Sequence, residues 1–122
     1  MVKTVLLIDD DTEFLYELCE MLKNCGYTVK ASPTGCDVCQ LALKTRPNII
    51  LLDLKMPAKS GFEIARELKE NDKLNSIPIL AITGAYLGNV DKRLIELCGM
   101  AGYLLKPFTP LDIISRIESY AH

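Results

Sequence analysis

A chain of 122 residues, 49% of them apolar, suits one compact domain with a real core. Sixteen acids against 14 bases leave a net charge of −2, which argues against nucleic acid as a partner and against attachment to an anionic membrane. No apolar run approaches the ~20 residues of a membrane span. The opening Met-Val-Lys-Thr-Val-Leu-Leu-Ile meets acids at once, unlike a secretory signal, so five reduced thiols in the cytoplasm are expected.

Val2 to Ile8 is an apolar run too short for a helix and reads as a strand buried on both faces. Phe14, Leu15, Leu18, Met21, Leu22 and Cys25 then recur at helical spacing, and Gly26 supplies the stop. Tyr27 to Ala31 is a second strand, followed by the turn Ser32-Pro33-Thr34-Gly35. A second helix is predicted over Cys36 to Lys44, with Val38, Leu41 and Ala42 inward, ended by Pro47. Ile49 to Leu52, the most apolar short run, is a central strand closed by Asp53. A loop from Lys55 to Gly61 leads into a helix over Phe62 to Glu70. Ile77 to Ile82 is the fourth strand, ending at Thr83, and a helix over Val90 to Cys98 follows. Tyr103 to Leu105 is the fifth strand, ending at Lys106-Pro107. The last helix spans Pro110 to Tyr120, with Leu111, Ile114, Ile117 and Ala121 on its inner face. Five strand–helix pairs in strict alternation imply an α/β fold: a parallel sheet between two layers of helices, joined by right-handed crossovers.

In open sheets of this kind, ligands bind beyond the carboxyl ends of the strands. There the sequence gathers Asp9 and Asp10 after the first strand, Asp53 after the third, Thr83 after the fourth and Lys106 after the fifth. Two carboxylates ~5 Å apart at an effective dielectric near 20 repel by roughly 3 kcal/mol, and one lysine does not neutralise three acids. A divalent cation with oxygen ligands would, and with no histidine or cysteine placed nearby, Mg²⁺ or Mn²⁺ suits the site. Acids around such an ion, beside a hydroxyl and an ammonium, suit a phosphoryl dianion, with one aspartate as nucleophile.

Ile8-Asp9-Asp10, Leu52-Asp53-Leu54-Lys55-Met56-Pro57 with Gly61, Ile82-Thr83-Gly84 and Tyr103-Leu104-Leu105-Lys106-Pro107-Phe108, in that order and spacing, resemble a response-regulator receiver domain of the CheY-like type. The resemblance covers essentially the whole chain. It implies a doubly wound (βα)5 sandwich of strand order 2-1-3-4-5. It also implies a switch that accepts phosphoryl on Asp53 from a histidine kinase or phosphotransfer protein and then presents a changed surface of fourth helix, fifth strand and fifth helix to a downstream target. The domain would promote its own phosphorylation and dephosphorylation without turning over an external substrate. By the same resemblance Asp10 ligates Mg²⁺ directly, Asp9 ligates it through water, and Asp53 and the main-chain carbonyl of Lys55 complete the protein ligands. Thr83 and Lys106 stabilise the phosphoryl group, Thr83 and Tyr103 form the switch, and the Lys106–Pro107 bond is cis. Asp11, one past the acidic pair, is expected to cap the first helix.

Two other functions fit parts of the pattern. A haloacid-dehalogenase-like phosphatase would use Asp9 as nucleophile with Asp11 two residues on, but Glu13 stands where Thr or Val is usual. Cys36-Asp37-Val38-Cys39 has the spacing of a redox pair, although a turn separates it from the preceding strand, and packing on the second helix competes with that role. Ile113 lies off the apolar stripe of the last helix and is expected exposed near Tyr103 and the fourth helix, where a lone isoleucine without a role is the ordinary reading and a place in a partner surface the alternative. One receiver unit is expected over residues 1–122, standing alone or as a segment of a larger regulator or hybrid kinase.

Overall fold

The computed structural model describes residues 3–84 and 87–121. Val2, assigned above to the first strand, lies outside them. The elements alternate as expected: β1 (Thr4–Ile8), α1 (Thr12–Asn24), β2 (Thr28–Ser32), α2 (Val38–Thr45), β3 (Ile49–Asp53), α3 (Gly61–Glu70), β4 (Ile79–Thr83), α4 (Asn89–Leu97), β5 (Gly102–Leu105) and α5 (Pro110–Tyr120). Boundaries move by a residue or two. The largest shifts are at α2, which starts after Cys36 and Asp37, and β4, which starts after Pro78 because proline has no N–H to give the ladder.

All five strands pair in parallel in the order β2-β1-β3-β4-β5. The side-chain period of two divides the central strands between two cores. Leu6, Ile8, Ile50, Leu52, Ile79 and Ala81 face one cluster, which α2, α3 and α4 close with Ala42, Ile64, Leu68 and Ile95. Val5, Leu7, Ile49, Leu51, Leu80 and Ile82 face the other, closed by Leu18 and Leu22 of α1 and Ile113 and Ile117 of α5. Both faces are covered, so β1, β3 and β4 are continuous apolar runs rather than alternating ones.

Local chemistry sets how the helices enter. Asp11 caps α1, its carboxylate accepting from the Phe14 N–H at 3.2 Å. Ser60 caps α3 by accepting from the Glu63 N–H. Thr109 and Asp112 form a reciprocal box at the start of α5, with Pro110 in its first turn.

The face assigned to α5 requires correction. Ile113 is fully buried, while Leu111 is 73% exposed. The helix carries two overlapping apolar stripes that share Ile117 and Ala121: one runs through Leu111 and Ile114, the other through Ile113. The second, spaced four by four, packs against the sheet, with Ile114 half-buried at its edge. Ile113 is therefore neither exposed nor part of a partner surface. The exposed apolar side chains in that region are Val90, Leu94 and Leu97 on α4, Leu105 on β5 and Leu111 on α5.

Candidate functional site: an acidic cluster at the strand ends

The order reversal between β1 and β3 opens a crevice at their carboxyl ends. Asp9 and Asp10 follow β1, and Asp53 is the last residue of β3. One carboxylate oxygen from each lies within 4.8 Å of the others. Asp9 is fully buried, Asp53 is 5% exposed and Asp10 is open to solvent, so the cluster has a buried floor and an accessible rim.

Each buried acid is held in place. Asp9 accepts from the Asp11 N–H at 3.0 Å through one oxygen and from the Lys106 ammonium at 2.7 Å through the other. Asp53 accepts from the Lys55 N–H at 3.2 Å. Burial, followed by the negative charge of Asp9, pushes the Asp53 carboxyl up from 3.8 to about 6. The Lys55 N–H and the Lys106 cation oppose that rise without cancelling it.

Thr83, the last residue of β4, is fully buried, and its carbonyl accepts from the Lys106 N–H at 2.9 Å. That bond continues the β4–β5 ladder, and from there the lysine side chain reaches Asp9 at the end of β1, three strands away from β5. The Lys106–Pro107 peptide is cis. Tyr103 is half-buried on β5, with the Lys92 ammonium 5.9 Å from its ring centroid. The side chain of Lys55 turns away from the acids to pair with Asp91 of α4 at 3.7 Å. Gly61 is a steric requirement: a Cβ there would lie 2.4 Å from the carbonyl oxygen of Asp53 and 2.8 Å from the Cα of Leu54. Only glycine lets α3 start this close to the strand end that carries the acid.

The structure thus brings Asp9, Asp10, Asp53 and Lys106 together, with Thr83 on the neighbouring strand end. Phe14 joins them, although its helical spacing marked it only as core. Its ring centroid is 4.0 Å from the Lys106 ammonium and 5.8 Å from the ring centroid of Phe108, whose plane stands at 86° to its own. Its place one turn after the acidic pair was the only sequence signal for this.

The donor set fits a hard divalent cation: three carboxylates within reach of one ion, one of them solvent-facing, and no cysteine or described histidine among them. The cysteines lie elsewhere. Cys36 is exposed before α2, and Cys39 is half-buried against the core on that side of the sheet, where burial pushes its thiol up and away from the reactive range.

Comparison with known proteins agrees with this geometry. The family model described as "Response regulator receiver domain" matches residues 5–118. The polar-differentiation response regulator DivK of Brucella anthropi is 31% identical over 120 residues, spanning 98% of this chain and 97% of that protein. The chemotaxis protein CheY4 of Vibrio cholerae superposes with a TM-score of 0.92 at 26% identity, covering 98% of this chain and 99% of that one. The receiver domain of the sensor histidine kinase PA1611 of Pseudomonas aeruginosa, with a magnesium ion coordinated in its active-site cleft, superposes with a TM-score of 0.89 at 26% identity, covering 99% and 98%. The chain belongs to the response-regulator receiver domain family, whose function is phosphorylation-dependent signalling.

Proposed function

We propose that residues 1–122 form a single receiver domain in which Asp53 is the phosphoacceptor, with Asp9, Asp10, Asp53 and the Lys55 main-chain carbonyl holding Mg²⁺, or Mn²⁺ in its place. The observation that carries this reading is the carboxylate triad itself, with two of its members buried beside one lysine. Such a cluster is unfavourable by itself, and a divalent cation reverses that balance.

A carboxylate oxygen of Asp53 attacks the phosphorus of a phosphohistidine. The new P–O bond forms as the P–N bond breaks, and the imidazole leaves with the electron pair and takes a proton from solvent. Mg²⁺ held by these residues would supply positive charge against the developing phosphoryl charge. Lys106 and the Thr83 hydroxyl meet the remaining oxygens, a role for Thr83 that its position at the end of β4 supports. The domain in this way promotes its own phosphorylation and, with water as the attacking group, its own dephosphorylation.

The donor is a histidine kinase or phosphotransfer protein. The output is a shift of Thr83 and Tyr103 that alters the face of α4, β5 and α5, where Val90, Leu97 and Leu111 stand exposed to a downstream target. Five thiols outside any disulfide suit a reducing, cytoplasmic setting. No helix among the described residues is long and apolar enough to cross a membrane.

Amide hydrogen exchange with and without beryllofluoride and Mg²⁺ tests the switch. Wild type is expected to change protection along α4, β5 and α5, and Asp53→Asn is expected not to change. Equal responses in the two proteins would contradict the assignment of Asp53.

A further inference from the structure

Lys106 is held on two sides. Its ammonium donates to Asp9 at 2.7 Å, and the face of Phe14 lies on the other side, 4.0 Å from ring centroid to nitrogen. The lysine side chain is only 18% exposed. A cation on an aromatic face gains more as water is withdrawn. The ring is itself fixed, because Phe108, two residues beyond Lys106, meets it edge to face. The chain from Lys106 to Phe108 thus closes on Phe14 from two directions, the cation on its face and the second ring against it.

The two holds are not equivalent. Asp9 belongs to the acidic cluster, so its attraction for the lysine changes with whatever the cluster binds. Phe14 carries no charge and belongs to α1 rather than to the cluster, so its attraction for the lysine does not depend on what the acids bind.

We propose that Phe14 is a positioning residue for phosphoryl transfer. Its ring retains the Lys106 ammonium at the acidic edge when Asp9 is engaged elsewhere, and Phe108 fixes the tilt of that ring. The proposal rests on the reading above that Lys106 meets the phosphoryl group. A purely structural Phe14 would need its shape and apolarity but not its electron-rich face, and this difference can be tested.

The full chain is prepared with Phe14 replaced by a trifluorinated phenylalanine, which keeps the shape and weakens the face, and as Phe14→Leu, Phe14→Trp and Lys106→Ala. Phosphorylation by acetyl phosphate with Mg²⁺ is timed, thermal unfolding is recorded, and the Lys106 side-chain methylene resonances are read by NMR in metal-free protein. The trifluorinated and Leu proteins are expected to phosphorylate about three- to tenfold more slowly, with Trp restoring the rate. The trifluorinated protein is expected to melt as wild type does, and the Lys106 resonances to lose their ring-current shift in Leu.

If Lys106→Ala is slow while the trifluorinated protein matches wild type, the inference about Phe14 falls and the role of Lys106 stands. If Lys106→Ala itself matches wild type, both fall. Should Leu unfold, the trifluorinated protein decides alone.

Discussion

Replacing Asp53 with Asn should stabilise the metal-free protein, by an amount that depends on pH. Asp53 is 5% exposed and faces Asp9, and its carboxyl is raised from 3.8 to about 6. A raised carboxyl binds its proton more tightly in the folded chain than in the unfolded one. Stability is therefore lost as pH rises from 3.8 through about 6, and the full penalty persists above that. At about 1.4 kcal/mol per pH unit, the penalty is at most about 3 kcal/mol, and water reaching the crevice past Asp10 reduces it. Asn has nearly the same shape, can still accept from the Lys55 N–H and carries no charge. In a chelating buffer at about pH 8, Asp53→Asn should be more stable than wild type by about 2 to 3 kcal/mol, and the gap should close towards about pH 4. Urea unfolding across that range measures it, with Mg²⁺ added in a parallel series that should narrow the gap at about pH 8. A variant less stable than wild type at high pH, or a gap that ignores pH, would refute the reasoning.

Mg²⁺ should raise the melting temperature of wild type in a concentration-dependent way, adding about 2.7 kcal/mol at a hundred times its dissociation constant. EDTA should reverse the gain, and Asp10→Asn, which alters the exposed rim acid, should reduce it; calorimetry with and without chelator checks all three. Asp11→Ala removes the cap of α1 and should cost about 1 kcal/mol in chemical unfolding while leaving Mg²⁺ binding in place. Ile113→Ala should cost about 2 to 5 kcal/mol, while Leu111→Ala stays within about 0.5 kcal/mol, a contrast that thermal unfolding of the pair reads directly.

The sheet was readable because its three central strands, β1, β3 and β4, are buried on both faces. Ile49 to Leu52 is apolar at every position, which leaves a parallel strand between helix layers as the economical reading. The acidic edge was readable for the same reason: in strands so free of polar side chains, Asp9, Asp53 and Thr83 stand out where the apolar run stops. The inner face of α5 was not readable. Leu111 and Ile113 are equally apolar, two stripes converge on Ile117, and only the docking of the first turn decides between them. Phe14 escaped for a different reason. Its spacing suits the core, and its contact with Lys106 spans most of the chain, so no local pattern records it. The pairing of Lys55 with Asp91, between a loop and a distant helix, was hidden in the same way.

The central claim is that Asp53, rather than Asp9, accepts the phosphoryl group. Intact-mass spectrometry after incubation with acetyl phosphate and Mg²⁺ tests it most directly, on wild type, Asp53→Asn and Asp9→Asn. Wild type should gain the mass of one phosphoryl group and Asp53→Asn none. Asp9→Asn should gain it slowly, because Asp9 holds the lysine and the ion rather than the phosphate. An adduct that persists in Asp53→Asn and vanishes in Asp9→Asn would instead place the nucleophile at the end of β1, as in a haloacid-dehalogenase-like phosphatase, and would contradict the account.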